Sequence, residues 1–284
     1  MASIASIDEI CQILTGGLGD KQALRYLKQQ DRIGAAAAGA TVAGRYFHTW
    51  QLNNNWGGGG AAPGGTQRQC TNSTQGAVPY TSPTGGREKF LVAWQANTVT
   101  TGDFSIYDRL CDISGFSGTQ TGAQSVTLAP TSGAATVAEA LENEICIDIY
   151  TAIGATATTI TVDYLDANGA AATTPAAVIG GAGFNNAQRR IFLPFASGKR
   201  GVTSVTSRNL LATTGTVGDY GITIVKKAAP SIPVNTVGMG TKCNMLTQDP
   251  DIVKLRSNAC LEFVFRSGST IFAENEYSLS FLER

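Results

Sequence analysis

A single histidine, His48, serves a chain of 284 residues in which only 15% are charged. Histidine is the usual general base near neutral pH and a common metal ligand. His48 stands between Phe47 and Thr49, with no second histidine to form an H-x-x-x-H pair. A nucleophile triad would have to use it as base, and no G-x-S-x-G elbow surrounds any serine. Glu142, Glu144 and Asp148 are close enough in sequence to suggest a carboxylate pair for glycoside hydrolysis or a calcium site. Their spacing follows strand alternation, which reads as a solvated face. Asp103, Asp108 and Asp112 lack the D-x-D-x-D-G pattern of a calcium loop.

Other chemistry-bearing patterns are incomplete. Gly57 to Gly60 and Gly180-Gly181-Ala182-Gly183 lack the Lys-Ser/Thr that follows a phosphate-binding loop. Arg189-Arg190 and Lys199-Arg200 are short basic pairs that read as solvent-facing or intersubunit ion-pair partners. The six cysteines, Cys11, Cys70, Cys111, Cys146, Cys243 and Cys260, are scattered without a C-x-x-C pair. They read as reduced, mostly core thiols, with no zinc site. The expectation is a protein that is not an enzyme and has no catalytic residues, metal or cofactor.

The elements expected to carry these residues are mainly strands. From Phe90 onward the apolar pattern has period two. Thr158, Ile160, Val162 and Tyr164 share one face, while Thr159, Thr161 and Asp163 share the other. Asn168-Gly169 follows as a hairpin signal. Further strands are expected at 145–150, 190–195, 202–211, 221–225, 261–265 and 277–281, separated by Gly-containing turns. Pro194 predicts an edge or a bulge. No helices interleave, so the expected fold is mainly β, an antiparallel β-sandwich of jelly-roll or Ig-like type.

The N-terminus has the other periodicity. Ser6 and Glu9 form a capping box, and Ile7, Ile10, Cys11 and Leu14 make one apolar stripe up to Gly16-Gly17. A second helix is expected from Asp20 through Leu24 and Leu27 to Gln29-Gln30. An Ala/Gly stretch (34–44), an aromatic run (45–50) and an Asn/Gly loop (53–65) follow. Residues 1–65 are therefore read as a helical, Gly-rich arm, or equally as a cover over one end of the sheet. Residues 66–284 are read as the sandwich, with a possible split near 130–140 at Pro130-Thr-Ser-Gly.

Net charge is zero, with 21 basic and 21 acidic residues. Without a basic excess, a nucleic-acid partner is not expected, and self-association is electrostatically cheap. No apolar run is long enough for a membrane span, and the first residues lack the pattern of a secretory signal. Folding in a cytoplasm is expected.

Several segments, in order, carry a resemblance. They are Phe104-Ser-Ile-Tyr-Asp-Arg-Leu110 with Ile113-Ser-Gly-Phe-Ser-Gly118, the Ile149–Val162 run, Tyr164-Leu-Asp-Ala-Asn-Gly169, Arg190-Ile-Phe-Leu-Pro-Phe195, Gly218-Asp-Tyr-Gly-Ile222 and Cys260-Leu-Glu-Phe-Val-Phe265. Over roughly residues 87–284 this order resembles structural proteins of tailed-bacteriophage virions. The resemblance implies a capsid decoration or cement protein, assembled in the host cytoplasm and located in the virion. Its implied partners are the major capsid protein and copies of itself, as a trimer, with no nucleic acid, membrane or small-molecule substrate. Ile7, Ile10, Leu14, Tyr46, Trp50 and Trp56 are the candidate interface residues. The alternative is a tail or fibre component that binds a host-surface glycan, with Trp50 and Trp56 as its aromatic platform.

Overall fold

The computed structural model describes residues 26–27, 31–33, 42–51, 59–83, 85–98, 100–234, 241–244, 253–268 and 273–283. Its strands, in chain order, begin with β1 (Tyr26–Leu27), β2 (Asp31–Ile33), β3 (Tyr46–His48), β4 (Arg68–Gln69), β5 (Lys89–Thr98), β6 (Gly102–Phe116) and β7 (Gly122–Leu128). A single helical turn, α1 (Val137–Ala140), precedes β8 (Asn143–Thr151), β9 (Thr158–Leu165), β10 (Ala171–Thr173), β11 (Ala177–Ile179) and β12 (Arg189–Phe192). The rest are β13 (Ser204–Leu210), β14 (Asp219–Lys227), β15 (Ile232–Val234), β16 (Thr241–Asn244), β17 (Val253–Leu255), β18 (Leu261–Ser267) and β19 (Ala273–Glu283).

All pairings are antiparallel, and the centre of the molecule is a closed ring. β14, β8, β12, β3, β18 and β6 pair in that order, and β6 pairs back to β14. Closure removes the exposed edges that an open sheet would present. Two further sheets flank this six-stranded barrel. One is built on β19 and β5, with β1, β2, β16 and β17 attached; the other has the order β10-β9-β13-β7, with β11 also on β9.

Period-two alternation explains the layering. On β8, Ile145, Ile147 and Ile149 point outward and pack with Ile160, Val162 and Tyr164 of β9 and with Val205 and Leu210 of β13. On the opposite side, Phe47, Phe104, Phe263 and Phe265 of the barrel meet Leu91 and Trp94 of β5 and Tyr277 and Leu279 of β19. The rings there stack closely: Phe263 and Tyr277 are 3.8 Å apart, and Phe104 and Phe265 are 4.5 Å apart. One core is thus aliphatic and the other aromatic.

β9 alternates in burial as its sequence predicts, and the turn after it is fixed by Asp166. The Asp166 side chain accepts hydrogen bonds from the Asn168 and Ala170 N–H groups, and Gly169 sits at φ 76°. β12 stops at Phe192, two residues before Pro194.

The N-terminal expectation needs correction where it can be seen. Tyr26–Leu27, inside the second expected helix, is not helical but pairs with β19, as does Asp31–Ile33 beyond that helix. A sheet edge supplied by β19 overrides the weak helical stripe of that segment. Ile7, Ile10 and Leu14, with the first expected helix, lie outside the described residues. Within the segment read as an arm, Tyr46–His48 forms one barrel strand. Strands before and after residues 130–140 share sheets: β6 pairs with β14, and β7 with β13.

Candidate functional site

The barrel interior is where the chemistry-bearing side chains converge. Each barrel strand faces its even-spaced partners outward, so the alternate residues face the lumen. One layer of the lumen takes a residue from every strand: His48, Arg109, Asp148, Arg190, Thr223 and Glu262, all at most 2% exposed. Asp112 joins them through a bulge. Ile224 pairs with Cys111 and Val225 with Arg109, which leaves Leu110 as an extra residue on β6. The bulge puts Arg109 and Asp112, three apart, on the same side.

Arg109 links four strands. Its Nε donates to Asp112 Oδ2 at 2.7 Å, and its Nη1 donates to Asp148 Oδ2 at 2.8 Å and to Glu262 Oε2 at 3.3 Å. Its Nη2 donates to Thr223 Oγ1 at 3.0 Å and to the Tyr150 hydroxyl. Arg190 grips Asp148 bidentately at 2.7 and 2.8 Å and donates to Glu262 Oε1 at 2.5 Å. Arg68 reaches in from β4 and holds Asp112 at 2.9 and 2.6 Å. Three arginines therefore meet three carboxylates, and the cluster is neutral. Bidentate, charge-assisted geometry of this kind is what makes buried charge tolerable.

The electrostatics follow from that geometry. Burial alone would raise the Asp148 pKa, but the guanidiniums of Arg190 and Arg109 hold it well below the usual carboxylate range. Burial opposes charge on Arg109 and Arg190 too, yet the surrounding carboxylates keep both firmly protonated. Burial pushes His48 down to about 3 against the pull of Asp148, so its imidazole is neutral. None of these groups is exposed to a substrate, and all the arginine and carboxylate heads are engaged with one another.

Two apolar layers bracket the charges. At one end Trp50, Tyr150, Cys70, Cys260 and Ala77 pack together at 0–4% exposure. The Arg109 guanidinium lies 4.6 Å from the Trp50 ring centre. Gly221 makes room for Tyr150: a Cβ there would sit 2.3 Å from the Ile113 carbonyl oxygen and 2.8 Å from Tyr150 Cε2. At the other end Tyr46, Tyr107, Cys146, Phe192, Val225 and Val264 form a layer, again one per strand, with Tyr46 and Phe192 only half-buried. That end opens into a cavity of about 410 Å³ bounded by Tyr46, Tyr107, Glu144, Phe192 and Phe195.

The sequence-predicted residues therefore separate. Trp50 is buried inside the chain, Tyr46 lines the open barrel end, and Trp56 lies outside the described residues. The solvated face expected for Glu142, Glu144 and Asp148 holds only for Glu142, which pairs with Lys226. Glu144 is half-buried and Asp148 fully buried, because the alternate face of β8 lines a lumen instead of meeting water. Arg190 likewise makes ion pairs within its own chain, not with solvent or a neighbour. Asp108 holds Arg256, and Asp103 pairs with Arg266. Cys70, Cys111, Cys146 and Cys260 are free and buried. Among the described residues no group of His, Cys, Asp and Glu is arranged to hold a metal ion, and no helix is long and apolar enough to cross a membrane.

Sequence reasoning missed the lumen cluster as a unit. Its signal was present in the charged residues set beside apolar ones on β8, β12 and β18, but period two does not distinguish a lumen from solvent.

No family model and no curated protein matches the chain. Among solved structures it is similar to Pseudomonas aeruginosa AlgX at 12% identity, covering 48% of this chain and 26% of that one, with a TM-score of 0.26. The chain thus spans about a quarter of AlgX. CtCBM11 aligns at 10% identity over 57% of this chain and 95% of that one, with a TM-score of 0.22. The infectious bursal disease virus VP2 subviral particle aligns at 6% identity over 92% and 80%, with a TM-score of 0.16. At these scores none of the three carries an argument about function.

Proposed function

We propose that this chain is a structural protein of a tailed-bacteriophage virion, a capsid decoration or cement protein that works by subunit contacts. The observation that carries the reading is the outer face of the β10-β9-β13-β7 sheet. It presents Ala123, Ser125 and Thr127, then Ser207 and Asn209, then Thr159, Thr161 and Thr173. The ionisable side chain among them, Asp163, already accepts hydrogen bonds from Thr173 at 2.6 Å and from Ser207. Val178, Thr159 and Leu211 form a row across this face, with Val178 44% and Leu211 73% exposed. Short uncharged side chains lose little entropy or hydration on docking, which suits packing against another subunit. The lumen cluster supports the same reading, since its ionisable groups are committed to holding six strands together. The order of segments over residues 87–284 adds to it.

Two measurements test this. Antibodies against the chain should label phage heads in electron micrographs. Labelling confined to tails favours the tail or fibre alternative, and no labelling of virions overturns both. Light scattering should find an oligomer, a trimer on this reading, that dissociates when Thr159 and Thr161 are both replaced by lysine.

A further inference from the structure

The open end of the barrel has a construction that the lumen cluster does not need. The opposite end is closed by Trp50 and Tyr150, at 0% and 4% exposure. Here the cavity of about 410 Å³ leaves Tyr46 and Phe192 partly uncovered, within the size range of small-ligand sites. Their rings stand 5.0 Å apart at 76°, so they form two walls of a corner. Tyr107 adds a third ring, 5.3 Å from Phe192 and tilted by 38°. Phe195 borders the cavity beyond Leu193 and Pro194.

Glu144 is the acidic group in this corner. Its side chain is half-buried and has no ion-pair partner among the described residues. Burial raises its pKa, while Lys227 and Arg190 nearby act in the opposite direction. The corner therefore combines apolar ring faces with a hydrogen-bond acceptor and the tyrosine hydroxyls. A ligand that fits must be apolar on its faces and hydroxylated at its edges.

We infer that the open barrel end is a binding subsite for a neutral saccharide, one pyranose ring seated against Tyr46 and Phe192 with a hydroxyl donated to Glu144. Stacking on the rings would supply the contact area, and the carboxylate would orient the sugar. An aromatic corner with a carboxylate could also hold a quaternary ammonium. Lys227, a cation beside Glu144 that lies outside the neutral lumen cluster, offsets the Glu144 charge and so favours a neutral occupant. An anionic ligand is disfavoured by Glu144 itself. The site does not depend on the virion reading.

The test is saturation-transfer NMR on the full chain with a panel of glucose, galactose, mannose and N-acetylglucosamine oligosaccharides at millimolar concentration, with choline as the cationic probe. At least one saccharide is expected to bind, and Glu144→Gln should weaken it by about tenfold or more, the loss of one charged hydrogen bond. Tyr46→Ala should abolish the signal; if that variant does not fold, Glu144→Gln still decides the matter. No transfer to any saccharide overturns the inference, as does binding that Glu144→Gln leaves unchanged. Binding of choline instead replaces the saccharide with a cation. None of these outcomes bears on where antibodies label the virion.

Discussion

The lumen of the barrel and the outer face of the β10-β9-β13-β7 sheet invert the usual placement of charge. The lumen holds Arg109, Arg190, Asp112, Asp148 and Glu262, all buried. The outer face is built from Thr, Ser, Ala and Asn around one hydrogen-bonded aspartate. Charge in the lumen is useful only because each head is paired several times over, which fixes the strands against one another. Absence of charge outside leaves a face that another subunit could cover without desolvating ions.

The comparison breaks most readily at Asp148, which serves Arg109, Arg190 and Thr223 together. Asp148→Ala should cost about 3–5 kcal/mol in a urea unfolding titration, because two guanidiniums lose a buried partner. Asp163→Ala on the outer face should cost less than about 1 kcal/mol in the same assay.

Acid should act in the same direction. His48 is held down to about 3 in the fold against an ordinary value of 6.5, so the unfolded chain takes up a proton that the folded chain refuses. Its contribution is full above pH 6.5 and is lost as the pH falls toward 3. The loss by pH 4 should be on the order of 3 kcal/mol, and His48→Leu should flatten that part of the profile. Asp148, whose pKa the fold depresses, adds a further loss below the ordinary carboxylate range.

Arg190→Lys sharpens the comparison by keeping the charge and losing the fork. It should destabilise by about 2 kcal/mol, since an ammonium cannot reproduce the bidentate grip on Asp148 and the bond to Glu262. The smallest effect on stability belongs to Thr159→Lys with Thr161→Lys. The unfolding free energy should change by no more than about 0.5 kcal/mol in the same urea titration, while light scattering should register the loss of association.

Much of the strand content was legible beforehand. Thr158 to Tyr164 alternates in the sequence and in the structure, and the turn at Asn168-Gly169 sits where its residues place it. The open-end residues were only partly legible. Tyr46 stood out as an aromatic, but Tyr107, Phe192 and Glu144 come from three other strands, and nothing local marks them as neighbours. Trp50 stood out for the same reason and is buried beneath Arg68 and Arg109.

The sequence by itself determined a mainly β chain with alternating faces, because side-chain direction in a strand depends only on local backbone geometry. Only the tertiary structure decided what each alternate face meets. Antiparallel pairing of β6 with β14 closes the sheet, and closure turns the polar faces of β8, β12 and β18 from solvent to lumen. That pairing joins residues about a hundred positions apart, so no local pattern encodes it.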